Sequence, residues 1–138
     1  MRGKPCFVDT NIWLYAFIKS EDNDKTAIAE QLIKSHRIVA SSQIVNELCV
    51  NLIKKTKLSE PEIQELISSF YKKYSVVNVS KEIMVKASIL RDEHRFSFWD
   101  SMVVSAALFS DVETLYTEDM HDGLIVEGNL RIVNPFKQ

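Results

Sequence analysis

Phe7-Val8-Asp9-Thr10-Asn11-Ile12-Trp13-Leu14-Tyr15-Ala16-Phe17 changes its period partway along. Residues 6–9 form an apolar run closed by an acid, the pattern of a short strand covered on both faces. Residues 11–17 suit a short helix. A buried strand that turns at once into a helix is the building unit of α/β folds with a mostly parallel sheet. In such sheets the functional site lies at the carboxyl ends of the strands, and Asp9 stands at one of them.

The alternation continues along the chain. A charged loop is expected over 21–24, then a helix over 25–35 with Ile28, Leu32 and Ile33 on one face. A strand over 38–40 leads into a helix over 42–55 behind a serine cap. Ser59-Glu60-Pro61-Glu62 combines a capping serine, an early proline and a glutamate three residues on, which predicts a helix to about residue 74. A strand over 76–79, helices over 81–93 and 98–109, a strand over 115–117, turns at Gly123 and Gly128, and a last strand over 130–133 complete the reading. The expected fold is α/β around a mostly parallel central sheet, in a single domain across 1–138.

The composition agrees with one globular unit. The chain has 138 residues, 46% of them hydrophobic and 26% charged, which leaves enough apolar surface for a core and argues against disorder. A net charge of −2 excludes a histone-like basic binder, though a local patch would still serve a nucleic-acid enzyme. Cys6 and Cys49 match no zinc spacing and read as reduced thiols. Asp9 and Asn11 interrupt the apolar N-terminal stretch, so no signal peptide is expected. No apolar run is long enough to span a bilayer. A cytoplasmic location is expected.

Four positions invite chemistry. Asp9 reads equally well as a helix cap and as a carboxylate at the active edge. Glu47 falls on the polar side of its helix, about 60° beyond Ile44 at ~100° per residue, where a solvated role is the ordinary reading; it lies within two turns of the second strand and so near Asp9. Asp100 opens the helix FWDSMVVSAALF, which is apolar around most of its circumference and should be buried. A carboxylate there needs a partner. Ser97 and Asp100 have capping-box spacing, a structural account of the same acid. Ser101 and Ser105 make a polar strip beside it, as helix-packing residues or as donors behind the acid. Thr117, Glu118 and Asp119 follow a strand, with Asp122 as a rival acid; an acidic turn before Gly123 is the plain alternative.

Carboxylates that converge repel one another and raise each other's pKa, so the cluster calls for a cation. All-oxygen donors suit Mg²⁺ or Mn²⁺ and chemistry on phosphate esters. One step stays open at this level. Asp100 follows a helix, and a simple helical hairpin would set it at the wrong edge of the sheet.

The chain resembles the PIN-domain family, in particular the small VapC-type toxin ribonucleases, over almost its whole length. FVDTNIWLYAF looks like the opening motif, with Asp9; SSQIVNELCVNL like the second, with Glu47; RFSFWDSMVVSAAL like the third, with Asp100; and LYTEDMHDG like the last, with Thr117 and Asp119. Many relatives carry Asn where Asp119 sits. The resemblance implies a three-layer α/β/α sandwich in which the helix of Asp100 starts at the active edge. It also implies metal-dependent endonucleolytic cleavage of RNA, with Asp9, Glu47, Asp100 and Asp119 ligating one or two Mg²⁺ or Mn²⁺. Thr10, Asn11 and Thr117 would orient water or phosphate. A cognate antitoxin and a homodimer are implied as partners.

Other readings fit less well. A haloacid-dehalogenase-type phosphatase needs a second Asp where Asn11 stands, and a P-loop is absent. A receiver domain lacks its acidic pair. The serious alternative is a catalytically silent PIN module that binds RNA or a partner protein. Lys54, Lys55 and Lys57, Lys72 and Lys73, and Arg91, His94 and Arg95 are the basic groups available for a nucleic acid. Solvated helix ends explain each of them plainly. Arg95, nearest Asp100, is the leading phosphate candidate. The apolar series Ile63, Leu66, Ile67, Phe70 and Tyr74 serves either the core or self-association.

Overall fold

Residues 6–8 and 38–41 are buried at every position, with Cys6, Phe7 and Val8 2%, 0% and 0% exposed, so layers must cover both faces of the sheet there. The computed structural model describes residues 4–18 and 23–137. Its elements run β1 (Cys6–Val8), α1 (Thr10–Phe17), α2 (Asn23–Ser35), β2 (Ile38–Ser41), α3 (Ser42–Lys55), α4 (Glu60–Lys73), β3 (Ser75–Val77), α5 (Lys81–Glu93), α6 (Phe98–Phe109), β4 (Thr114–Tyr116), β5 (Ile125–Val126) and β6 (Leu130–Val133). The sheet order is β3-β2-β1-β4-β6-β5, parallel except for the β5–β6 pair. This is the expected α/β/α sandwich.

Local chemistry explains the element ends. Ser41, Ser59, Ser80 and Ser97 each cap a helix, and Ser59 with Glu62 closes a full capping box. β1 stops one residue short of the expected end because Asp9 leaves the strand to cap α1. Asn23 and Asp24, expected in a charged loop, open α2 instead; Glu21 lies outside the described residues. β5 was not expected. It is two residues long and pairs antiparallel with β6 across a turn in which Glu127 (φ 51°) and Gly128 (φ 76°) are left-handed. An ion pair with Lys86 accompanies the unusual Glu127 conformation.

Two readings of apolar residues resolve differently. On α4, Ile63 and Phe70 are buried, and Leu66, Ile67 and Tyr74 pack against the same core. Phe70 and Tyr74 close on Trp13, with ring centroids 4.7 and 5.0 Å away. That face is consumed within the chain, so it gives no reason for self-association. On α6, residues Ser101 to Ala107 are all buried as expected, but Phe98 and Trp99 in its first turn are 53% and 59% exposed. Neither cysteine is bonded, and burial pushes the Cys6 thiol up to about 12. No helix among the described residues is long and apolar enough to cross a membrane.

Candidate active site

β1 and β4 are adjacent and parallel, so their exits bring Asp9 and Thr117 together. The Asp9 carboxylate is 7% exposed. One oxygen accepts from the Thr10 N–H at 2.8 Å, and the other from the Thr117 hydroxyl at 2.8 Å. Asp9 is therefore a helix cap and an edge carboxylate at once; the two readings were not exclusive. Its pKa is pushed up to about 6, first by burial. The bonds from Thr117 and Thr10 pull it down, and the charges of Glu47 and Asp100 push it further up. Repulsion between acids raises it as expected, but is a smaller cause than burial.

Glu47 sits half-buried on α3, which leaves the carboxyl end of β2. One of its carboxylate oxygens accepts from the Thr10 hydroxyl at 2.7 Å and the other from the Gln43 amide at 2.9 Å. It is not a freely solvated side chain. Gln43 escaped sequence reading, although its place four residues before Glu47 puts the two side chains on one helix face.

Asp100 reaches the same edge because α6 feeds β4. A helix that supplies a parallel strand must begin where the strands end, which closes the step left open above. α5 and α6 lie antiparallel, clasped by Ser105 donating to the Ile83 carbonyl at 2.7 Å and by Arg91 donating to the Ser101 hydroxyl at 2.7 Å. The serine strip is thus a packing device. Ser97 accepts from the Asp100 N–H at 3.1 Å, but among the described residues the Asp100 carboxylate does not accept from the Ser97 backbone N–H, so no capping box is closed. The cap on α6 is supplied by Ser97, so capping does not explain the acid. Burial raises the Asp100 pKa, the Ser97 bond lowers it, and the charges of Asp119 and Glu47 raise it.

Asp119 is exposed and accepts from the Asn11 amide; its N–H donates to the Thr117 hydroxyl at 3.3 Å. Asp122 instead accepts from the Asn134 N–H at 2.8 Å, which ties its loop to the exit of β6. Asp100 and Asp119 share a cavity of about 600 Å³ with Arg95, His121, Asp122 and Lys137. Lys54 and Lys55, like Lys72 and Lys73, lie in the last turns of their helices, where the dipole favours cations.

The first three motifs and the last are therefore joined: Thr10 to Glu47, Asn11 to Asp119, Thr117 to Asp9, and Asp100 through its field on Asp9. Among the described residues no three His, Cys, Asp or Glu side chains stand in an arrangement ready to hold a metal ion. The acids are turned to the hydroxyl and amide donors between them. Their donor chemistry still fits a hard cation: oxygen throughout, with the carboxyls of Asp9 and Asp100 pushed toward protonation first by burial and then by neighbouring acids.

A family model described as PIN domain matches residues 6–121. Among solved structures the chain is similar to a toxin–antitoxin complex from Klebsiella pneumoniae, with TM-score 0.72 and 20% identity over 96% of this chain and 99% of that one. It is similar to VapBC2 from Rickettsia felis bound to a DNA fragment from its promoter, with TM-score 0.65 and 22% identity over 93% and 96% of the two chains. It is also similar to VapC20 from Mycobacterium tuberculosis, a Sarcin-Ricin loop cleaving toxin, with TM-score 0.64 and 16% identity over 80% and 86%. No curated protein matches the sequence significantly.

Proposed function

The chain belongs to the PIN domain family, and from that premise we propose that it is a metal-dependent endoribonuclease, the toxin of a toxin–antitoxin pair. The observation that carries this reading is the joining of the motifs at one end of one sheet: Thr117 bonds Asp9, Thr10 bonds Glu47, Asn11 bonds Asp119, and Asp100 shares a cavity with Asp119.

Asp9, Glu47, Asp100 and Asp119 would hold Mg²⁺ or Mn²⁺. Such a cation, when bound, lowers the pKa of a water and offsets charge on the scissile phosphate. The chain's own residues prepare the acids for that task. Thr117 and the Thr10 N–H oppose the burial of Asp9 and keep it ionisable near neutrality. Thr10 and Gln43 fix both oxygens of Glu47, and Asn11 holds Asp119 at the edge. Asp119, bonded to the first motif, is favoured over Asp122, which is engaged by the backbone of Asn134. Arg95 lines the cavity with Asp100 and would meet phosphate oxygens.

An antitoxin partner is supported by similarity to chains solved as toxin–antitoxin complexes. A homodimer remains part of the proposal, without help from α4. The silent-module reading is disfavoured by the retention of all four acids, which a binder has no use for. Incubating purified protein with RNA and Mg²⁺ or Mn²⁺ separates the two. Cleavage that stops in EDTA and is lost in Asp100→Asn supports the enzyme. RNA binding with no cleavage under any divalent metal supports the silent module.

A further inference from the structure

Three acids follow β4 within five residues: Glu118, Asp119 and Asp122. Their side chains take different partners. Asp119 accepts from Asn11 and lines a cavity with Asp100, while Asp122 accepts from the Asn134 N–H. Glu118 belongs to a separate cluster. One of its oxygens accepts from the Tyr15 hydroxyl at 2.7 Å and the other from the Lys25 ammonium, which also donates to the Tyr15 hydroxyl at 3.3 Å.

This cluster is packed as well as bonded. The Lys25 ammonium lies 5.1 Å from the centre of the Tyr15 ring and 5.4 Å from that of Phe136, and the two rings meet edge to face at 5.2 Å. The side chains of Lys25 and Glu118 are 32% and 21% exposed. An ion pair so withdrawn from water, with both carboxylate oxygens engaged, holds its geometry better than a surface pair does.

Helix α1 connects the cluster to the acids. Asn11 and Tyr15 stand one turn apart on the same face. They bond Asp119 and Glu118, which are consecutive in the chain. The peptide joining those two acids is pinned at both of its polar groups: its C=O accepts from the Asn134 amide at 3.4 Å, and its N–H donates to the Thr117 hydroxyl at 3.3 Å. With that peptide fixed and Glu118 held to one side, the direction of the Asp119 side chain is set. Lys25 also neutralises a carboxylate that, left free, would compete with Asp119 for the site. We infer that Lys25 and Tyr15 are positioning residues for the cation site: by holding Glu118 outside it, they select Asp119 as the acid that enters. Both act through Glu118, without contact to the cation. The inference rests on the metal-dependent reading of the four acids and says what orients one of them.

Mn²⁺ binding to the metal-free protein, read by calorimetry, tests it. Lys25→Met should lower the affinity about tenfold, the loss expected when a residue that orients a metal ligand is removed. Tyr15→Phe keeps the ring on Phe136 and removes the hydroxyl; it should lower the affinity about threefold, so the test stands even if Lys25→Met does not fold. Lys25→Arg, which can still pair with Glu118, should stay within about twofold of wild type. In an Asp119→Ala background Lys25→Met should cause no further loss, because the effect passes through Asp119. In RNA cleavage, the Mn²⁺ concentration for half-maximal rate should rise about tenfold in Lys25→Met, while KM for RNA at saturating Mn²⁺ stays within about twofold. The exposed pair Lys4–Glu113 is the control, and Lys4→Met should move neither reading.

Folded Lys25→Met and Tyr15→Phe proteins that bind Mn²⁺ like wild type overturn the proposal, whatever stability they lose; the nuclease reading then stands if the wild type cleaves. An equal loss from Lys25→Met with and without Asp119 also overturns it. The expected affinity changes in a protein that never cleaves RNA would retain the positioning role and reject the nuclease reading. A wild type that binds no Mn²⁺ overturns both.

Discussion

The Thr117 hydroxyl donates to the Asp9 carboxylate at 2.8 Å, across 108 residues of sequence. The bond joins the exits of two adjacent parallel strands, and Asp9 is almost wholly buried beneath it. It is the foremost influence opposing the burial that raises the Asp9 pKa. Thr117→Val keeps the shape and removes the donor. The expected result is a loss of about 1–3 kcal/mol in urea unfolding, as for a buried acceptor left without its partner. The acid limb of the cleavage–pH profile should also move to higher pH, because Asp9 then ionises later. A profile unchanged from wild type would separate Thr117 from the chemistry.

Asp9 also gives the metal-free protein a pH signature. Its folded pKa, about 6, lies above its ordinary value of 3.8. The folded state therefore holds a proton that the unfolded chain has released. The stability associated with the protonated carboxyl is complete below about pH 4 and is lost as the pH rises to about 6. The contribution is about 3 kcal/mol at most. In EDTA, Asp9→Asn should remove this part of the pH dependence and melt no lower than wild type at pH 7. Chemical melts from pH 4 to 7 on both proteins measure it.

Asp100 separates function from capping. Ser97 supplies the cap and Asp100 closes no capping box with it. Asp100→Asn should therefore abolish cleavage, reduce any rise in melting temperature caused by Mg²⁺, and leave the metal-free protein within about 0.5 kcal/mol of wild type or above it. A stability loss of about 1 kcal/mol with activity retained would return Asp100 to a structural role.

The capping box on α4 offers the opposite control. Ser59 accepts from the Glu62 N–H, and the Glu62 carboxylate accepts from the Ser59 N–H at 3.0 Å. Ser59→Ala should cost about 1 kcal/mol and leave cleavage at the wild-type rate per folded molecule. Thermal melts beside an RNA digestion read both halves of that expectation.

Much of this was legible from local chemistry. Serine caps, the apolar runs of β1 and β2 and the period of α3 and α5 are short-range signals, and the elements follow them closely. The acids were legible because each stands just past a strand or at a helix start. What failed depended on distant partners. β5 exists only because β6 pairs with it. The apolar face of α4 finds its use against Trp13, far away in sequence. The exposure of Phe98 and Trp99 contradicts their composition, since an apolar helix reads as buried from end to end. The preference for Asp119 over Asp122 needed Asn11 and Asn134, each more than ten residues from the acid it meets.

The central claim is that carboxylates at the edge of the sheet activate water, through a divalent cation, against an RNA phosphodiester. The product ends test it most directly. End-labelled RNA is digested with wild type and Asp100→Asn, in Mn²⁺ and in EDTA, and the new termini are identified. Attack by water predicts fragments without a 2′,3′-cyclic phosphate, formed by wild type in Mn²⁺ and absent both in EDTA and with Asp100→Asn. Cyclic phosphate ends produced equally in EDTA, or by Asp100→Asn at the wild-type rate, would contradict it.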